Sequence, residues 1–105
     1  MTVREFRNNA LSFPGVKEVT HFDRIAFKVY KKRIFATLHD ESAMANVKLP
    51  LSDQEVFCAI NKDAIYIVPN KWGEQGWTTF VLKDLPGNQV LDALNTAYKD
   101  VFAEK

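Results

Sequence analysis

The sequence has one cysteine and four glycines, and it lacks a long apolar run. It contains one cysteine, Cys58, so no internal disulfide can form, and we expect a reducing, cytoplasmic setting. Its four glycines are scattered or lie in turns, which excludes a glycine-rich phosphate loop. No apolar run approaches the roughly 20 residues of a membrane-spanning helix, and the charged N-terminus differs from a signal peptide.

A large excess of charge of one sign is also missing. The chain has 14 basic and 13 acidic side chains, and its net charge is +1. That balance gives no overall attraction to nucleic acid or to a membrane, so any basic footprint has to be local. The length of 105 residues and the hydrophobic content of 47% predict a single domain, residues 1–105, with its own core.

Three helices are predicted from capping signals and apolar periodicity. Thr2 and Glu5 have the spacing of a capping box, and Ser52 and Glu55 repeat that spacing in the middle of the chain. The last helix is the clearest, because apolar residues recur at helical spacing through 90–102.

Strands are predicted where apolar residues alternate with polar ones or where β-branched and aromatic residues cluster. The predicted strands are 17–22, 25–30, 34–38, 45–49, 65–69 and 77–82. Lys31 and Lys32 are interpreted as a two-residue hairpin loop, although they are not the residues that tight hairpin turns prefer. Successive strands with helices before, between and after them predict an α+β fold, in which the helices pack on an antiparallel sheet.

The segment "NKWGEQGW" concentrates both tryptophans and two of the four glycines between Trp72 and Trp77. Asn70 is suited to cap one helical turn, and Gly76 is suited to end it with a positive φ. Gly73 would let the backbone pass close to a large ring. Two interpretations stay open: the tryptophans pin the corner to the sheet and the last helix, or they form an exposed platform for a base or a small ligand.

Basic residues cluster in "VYKKRIF". Lys28, Lys31, Lys32 and Arg33 fall on a predicted hairpin, which could lie along a phosphate backbone as a wing does. Alternatively, the lysines keep the turn soluble and protect a sheet edge.

The remaining candidates for chemistry are weaker. His21 lies near Asp23, and His39 lies near Asp40 and Glu41, but neither spacing matches a metal site, so surface or hydrogen-bonded histidines are expected. Cys58 stands between apolar neighbours on a predicted helix and is interpreted as a buried, inert thiol. No catalytic residue and no cofactor is predicted.

Several segments together resemble the YjbR/MmcQ family of small bacterial proteins over nearly the whole chain. They are "FPGVKE", "HFDRIAFKVYKKRIFATL", "VKL", "VPNKWGEQGWTTFVL" and "LDALNTAYKDV". The resemblance implies a CyaY-like fold, an antiparallel sheet with helices on one side, and a double-wing shape for which members are described as DNA-binding. A frataxin-like iron site is disfavoured, because the first helix has only Glu5 against Arg4 and Arg7.

These features lead to three hypotheses about function. The first is a cytoplasmic, non-enzymatic module that binds DNA weakly and electrostatically through Lys28, Lys31, Lys32 and Arg33. The second is a small-molecule or peptide binder with a cleft beside Trp72 and Trp77. The third, ranked last, is an enzyme that uses one of the histidines. No membrane partner is expected.

Overall fold

The chain folds as one six-stranded sheet with helices packed against it. The computed structural model describes residues 1–104, and of His21 it describes the backbone alone. The elements are α1 (Val3–Ser12), β1 (Val16–His21), β2 (Arg24–Val29), β3 (Ile34–His39), β4 (Met44–Lys48), α2 (Leu51–Ile60), β5 (Ile65–Ile67), α3 (Lys71–Glu74), β6 (Trp77–Val81) and α4 (Gly87–Phe102). None of these helices has the length and apolarity needed to cross a membrane.

The sheet is antiparallel throughout and has the strand order β1-β2-β3-β4-β6-β5. Helices α1 and α4 contact the strands β1 to β4, and α2 contacts β5. All three lie on the same face, and the loop 68–76 borders a groove on the other face. The predicted α+β class, with helices on one side of an antiparallel sheet, is therefore confirmed.

The core lies between the three long helices and the sheet. The largest fully buried side chains are Phe6, Phe27, Phe35, Phe80, Leu38, Leu49, Ile65, Leu82, Leu94, Val47, Val90 and Val101. Because side chains alternate between the two faces of a strand, burying one face leaves the other set of side chains toward solvent.

The predicted N-terminal cap is present in α1 but not in α2. The capping box of α1 is present, since Thr2 Oγ1 accepts from the Glu5 amide and Glu5 Oε1 accepts from the Thr2 amide. The prediction that Ser52 caps α2 is wrong, because Pro50 is the N-cap and no side chain caps this helix. The fixed φ of proline suits the position before a first turn, so α2 begins at Leu51 without a side-chain cap.

The hairpin between β2 and β3 is wider than the predicted two-residue loop. It spans residues 30–33, and only Lys31 takes a positive φ, of 59°. A two-residue loop of the favoured type needs positive φ at both positions, which two lysines resist. The strand β1 is also shifted from the predicted 17–22 to Val16–His21, because Phe22 has a φ of 58° and belongs to the turn.

The glycines of the corner permit close backbone packing. A Cβ on Gly73 would lie 1.9 Å from the Val68 carbonyl oxygen, and a Cβ on Gly76 would lie 2.0 Å from the Leu49 carbonyl oxygen. Gly76 also has the predicted positive φ, of 109°, after the turn that Asn70 caps. The prediction that Gly73 passes close to a large ring is therefore wrong. Its nearest neighbours are the Val68 backbone and the Ile67 side chain.

We expect Gly73→Ala and Gly76→Val each to lower the free energy of unfolding by about 3 kcal/mol, the upper range for overpacking. Chemical denaturation measures this. Gly87→Ala is the matched control, since its Cβ would lie 3.8 Å from Met1 Cε, and it should be neutral or slightly stabilising. Wild-type stability of both corner variants would contradict the packing described for this corner.

Candidate nucleic-acid interface

The uncovered face of the sheet is basic. The strands carry Lys17, Arg24, Lys28 and Lys48, and their single acidic residue is Glu18. The Glu18 carboxylate points to the helices, where Arg7 of α1 binds it with Nε–Oε1 and Nη2–Oε2 distances of 2.7 and 2.9 Å. Alternation along β1 then places Lys17 on the opposite, uncovered face. In the described strands this face has no carboxylate to neutralise its cations.

Two of these lysines face each other. Lys17 and Lys28 are direct cross-strand partners in the β1–β2 register. Like charges at directly opposed positions destabilise a sheet, so this pair lowers the stability of the free protein. Neither ammonium group has an ion-pair partner among the residues that the structure describes. An anion that bridges the two side chains would relieve the repulsion.

A groove of about 480 Å³ lies on the same face. The strands contribute its floor, and the loop 68–76 forms one wall. Its lining residues are Arg24, Ile34, Thr37, Asn46, Val68, Asn70, Trp72 and Trp77. The sheet register places Lys28 opposite Ile34 and Lys48 opposite Trp77, so a lysine lies next to the groove on two sides.

The floor of the groove holds polar groups that are only partly satisfied. Thr37 and Asn46 are opposed across β3 and β4. The Thr37 hydroxyl oxygen is buried and, within the described residues, has no hydrogen-bond partner. Asn46 Oδ1 accepts from the Thr79 hydroxyl at 2.7 Å, which leaves the Asn46 NH₂ group directed away from that bond. A buried hydroxyl without a partner is costly, so this floor is suited to a polar ligand.

The wall of the groove is fixed from the other side of the sheet by Gln54. This side chain of α2 is 5% exposed, and its Nε2 lies 3.0 Å from the Gly73 carbonyl oxygen and 3.1 Å from Thr78 Oγ1. The Thr78 hydroxyl in turn donates to the Gly76 carbonyl oxygen at 2.9 Å. A buried network of this kind positions the turn that carries Trp72.

The two tryptophans differ in their surroundings. Trp72 is 58% exposed at the edge of the groove, whereas Trp77 is half-buried on β6. The interpretation that Trp72 pins the corner is therefore wrong, because the glycine contacts and Gln54 hold the turn and leave the indole outside. Both side chains line the groove, but only Trp72 is exposed, and a platform for a base or small ligand stays a prediction.

Three basic side chains of the predicted hairpin already contact other residues of the chain. Lys32 Nζ donates to the Glu104 carbonyl oxygen, and Arg33 Nε lies 3.2 Å from Glu104 Oε2. Lys31 Nζ lies 5.5 Å from the centre of the Tyr30 ring. Lys28 belongs to the uncovered sheet face, so the structure joins one of the four predicted residues to the groove and places the other three at the hairpin tip.

His39 is held by hydrogen bonds at both ring nitrogens. Its Nε2 lies 3.0 Å from Asp23 Oδ2, and its Nδ1 accepts from the Ser42 amide at 3.2 Å. This geometry agrees with the expected hydrogen-bonded histidine and leaves no ring nitrogen directed at a ligand. The side chain of His21 lies outside the described residues. Groups of potential metal ligands are absent from the part of the chain that the structure describes.

Cys58 is less buried than its apolar neighbours suggested. It is half-buried and lines a second cleft, of about 650 Å³, between α2 and β5. Cys58 faces this cleft, so its side chain is only partly covered. Burial raises the pKa of the Cys58 thiol, so the reactive thiolate is disfavoured at neutral pH.

Comparison with known proteins places this architecture in a family. The sequence model of the YjbR family matches residues 11–100. The chain belongs to the YjbR family. The crystal structure of Deinococcus radiodurans protein DR2400, which has the domain DUF419, is similar in fold, with a TM-score of 0.83 at 21% identity. The similarity covers 98% of this chain and 80% of that one. No curated protein matches the sequence.

Sequence reasoning missed the three polar strand residues of the groove in this YjbR domain: Arg24, Thr37 and Asn46. They lie on three different strands and are far apart in the sequence, so only the sheet register brings them together. The available signal was the uneven distribution of charge, since the predicted strands contain three lysines and a single acid, Glu18.

We expect Trp72→Ala to change the free energy of unfolding of this YjbR domain by less than about 1 kcal/mol, because the indole is largely exposed. Phe80→Ala, which empties a fully buried aromatic site, should cost about 3–5 kcal/mol. Urea denaturation of both variants provides the measurement. If Trp72→Ala lowered the free energy of unfolding as much as Phe80→Ala, the result would contradict this expectation and support the interpretation that Trp72 pins the corner.

Proposed function

We propose that this chain is a non-enzymatic, cytoplasmic module that binds single-stranded nucleic acid on the uncovered face of its sheet. The observation that carries the proposal is the combination, on one face, of lysine and arginine without a strand carboxylate and of an exposed tryptophan. Proteins that bind single strands combine cations along the backbone with aromatic side chains on which bases stack.

The charge pattern supports a polyanion as the ligand. The repulsion between Lys17 and Lys28 would be relieved by a phosphate between them, and Lys48 would extend the same track beside Trp77. The net charge of the chain is only +1, so the attraction comes from this local arrangement. Affinity should therefore be modest and should fall as salt is added.

The basic residues of the β2–β3 hairpin would extend the proposed binding surface beyond the sheet face. Lys28 lies on the sheet face, and Lys31, Lys32 and Arg33 follow it to the hairpin tip. Arg33 is paired with Glu104 in an exposed position, where such a pair contributes little stability and a phosphate can compete for the cation. The hairpin is thus a secondary contact for the backbone, and the sheet face is the primary one.

The shape of the groove supports single strands over duplex. Bases of a single strand are free to turn toward an aromatic side chain, whereas those of a duplex are stacked and paired. Trp72 at the groove edge offers such a surface.

The variant with Lys17→Gln, Lys28→Gln and Lys48→Gln tests the electrostatic part. On a labelled single strand it should lower the slope of log affinity against log salt by about 2, because each phosphate contact contributes about 0.7. Fluorescence anisotropy at several salt concentrations provides the measurement.

The matched control is Lys62→Gln, Lys83→Gln and Lys99→Gln, which removes the same charge from exposed positions away from this face. It should keep nearly the wild-type slope. Equal slopes for the two triple variants would show that only net charge matters. No binding of any strand at low salt would overturn the proposed function.

The variant Lys31→Gln, Lys32→Gln and Arg33→Gln separates the hairpin from the sheet face. It should weaken single-strand binding less than the variant at Lys17, Lys28 and Lys48 does, since two of its three cations already contact Glu104. Anisotropy with a duplex and a single strand of equal length makes the comparison. A larger loss for the hairpin variant, confined to duplex, would favour a wing on double-stranded DNA.

A further inference from the structure

The groove floor has a definite order of hydrogen-bonding groups. Arg24 lies on β2, Thr37 on β3 and Asn46 on β4, which are neighbouring strands. The small Ala26, opposite Thr37, leaves space for the long Arg24 side chain to lie over β2. All three polar residues line the same groove.

These three groups differ in the hydrogen bonds that they can offer to a ligand. The guanidinium of Arg24 can only donate, and no described residue binds it. The Asn46 carbonyl oxygen accepts from Thr79, and Asn46 lines the groove, so its NH₂ group is available as a donor. The Thr37 hydroxyl, buried and without a partner in the described residues, can donate or accept, and between two donor groups we assign it the role of acceptor. Across the three strands, the floor therefore presents a donor, an acceptor and a donor.

We propose that this groove binds a thymine or uracil base. The ring edge of both bases presents a carbonyl acceptor, an N3–H donor and a second carbonyl acceptor, which is the complement of the order on the floor. Adenine and cytosine place an exocyclic amino donor where the groove also has donors, and guanine presents two adjacent donors. The exposed Trp72 offers a surface on which the base can stack, and Trp77 also lines the groove.

The inference rests on the proposed function, since a strand would deliver the base, but a free nucleotide has the same base. The first experiment is therefore anisotropy competition with strands of about twelve nucleotides, oligo(dT), oligo(dA), oligo(dC) and an abasic strand of equal length, a length within the usual site size for single-strand binders. Thymidine and uridine monophosphate are titrated separately, with tryptophan fluorescence as the readout.

We expect oligo(dT) to bind about tenfold more tightly than oligo(dA) or the abasic strand and to quench tryptophan fluorescence. Equal affinity for all four strands overturns the inference and leaves the proposed function standing. Monophosphates that bind when no strand does support the inference and overturn the proposed function. No binding of any probe overturns both.

Thr37→Val gives a sharper test, because valine has the shape of threonine without the hydroxyl. Since that hydroxyl has no partner, the variant should melt at or above the wild-type temperature. It should nevertheless weaken oligo(dT) about fivefold and leave the abasic strand unchanged. Thr20→Val, at an exposed strand position outside the groove lining, is the control and should change neither. Unchanged oligo(dT) affinity in Thr37→Val would contradict the assigned role of the hydroxyl.

Discussion

The candidate site depends on the buried amide of Gln54. Its Nε2 bonds the Gly73 carbonyl oxygen and the Thr78 hydroxyl, and so connects α2 to the turn α3 and to β6. The turn can approach this closely because Gly73 and Gly76 have no Cβ to collide with the carbonyl groups of Val68 and Leu49. With the turn held from the core side, Trp72 contributes little to holding it and remains at the surface.

A second constraint is the division of the sheet into two faces. One face is covered by α1, α2 and α4, and its only strand carboxylate, Glu18, is bound by Arg7 of α1. The other face keeps Lys17, Lys28 and Lys48 together without a neutralising strand acid. Like charges at opposed strand positions lower the stability of the free protein, and the proposed anionic ligand would offset that repulsion.

Much of the fold was predictable from local patterns, whereas the site was predictable only in part. Capping, alternation and the glycine corner predicted the element order and the turn at Asn70, because these signals act over a few residues. The predicted cap of α2 and the predicted two-residue hairpin loop were wrong. A proline near Ser52 and two lysines in the loop do not specify one backbone geometry. Thr37 and Asn46 could not be recognised, because their proximity depends on a strand register that no local pattern specifies.

The most direct test of the account is to map the binding surface residue by residue. In an NMR titration of the labelled protein with oligo(dT), we predict that the amide signals of β2, β3, β4 and β6 and both indole N–H signals shift together. The amides of α1, α2 and α4 should hardly move. Shifts confined to residues 28–33 or to the cleft between α2 and β5 would contradict the assignment of the uncovered sheet face as the binding surface.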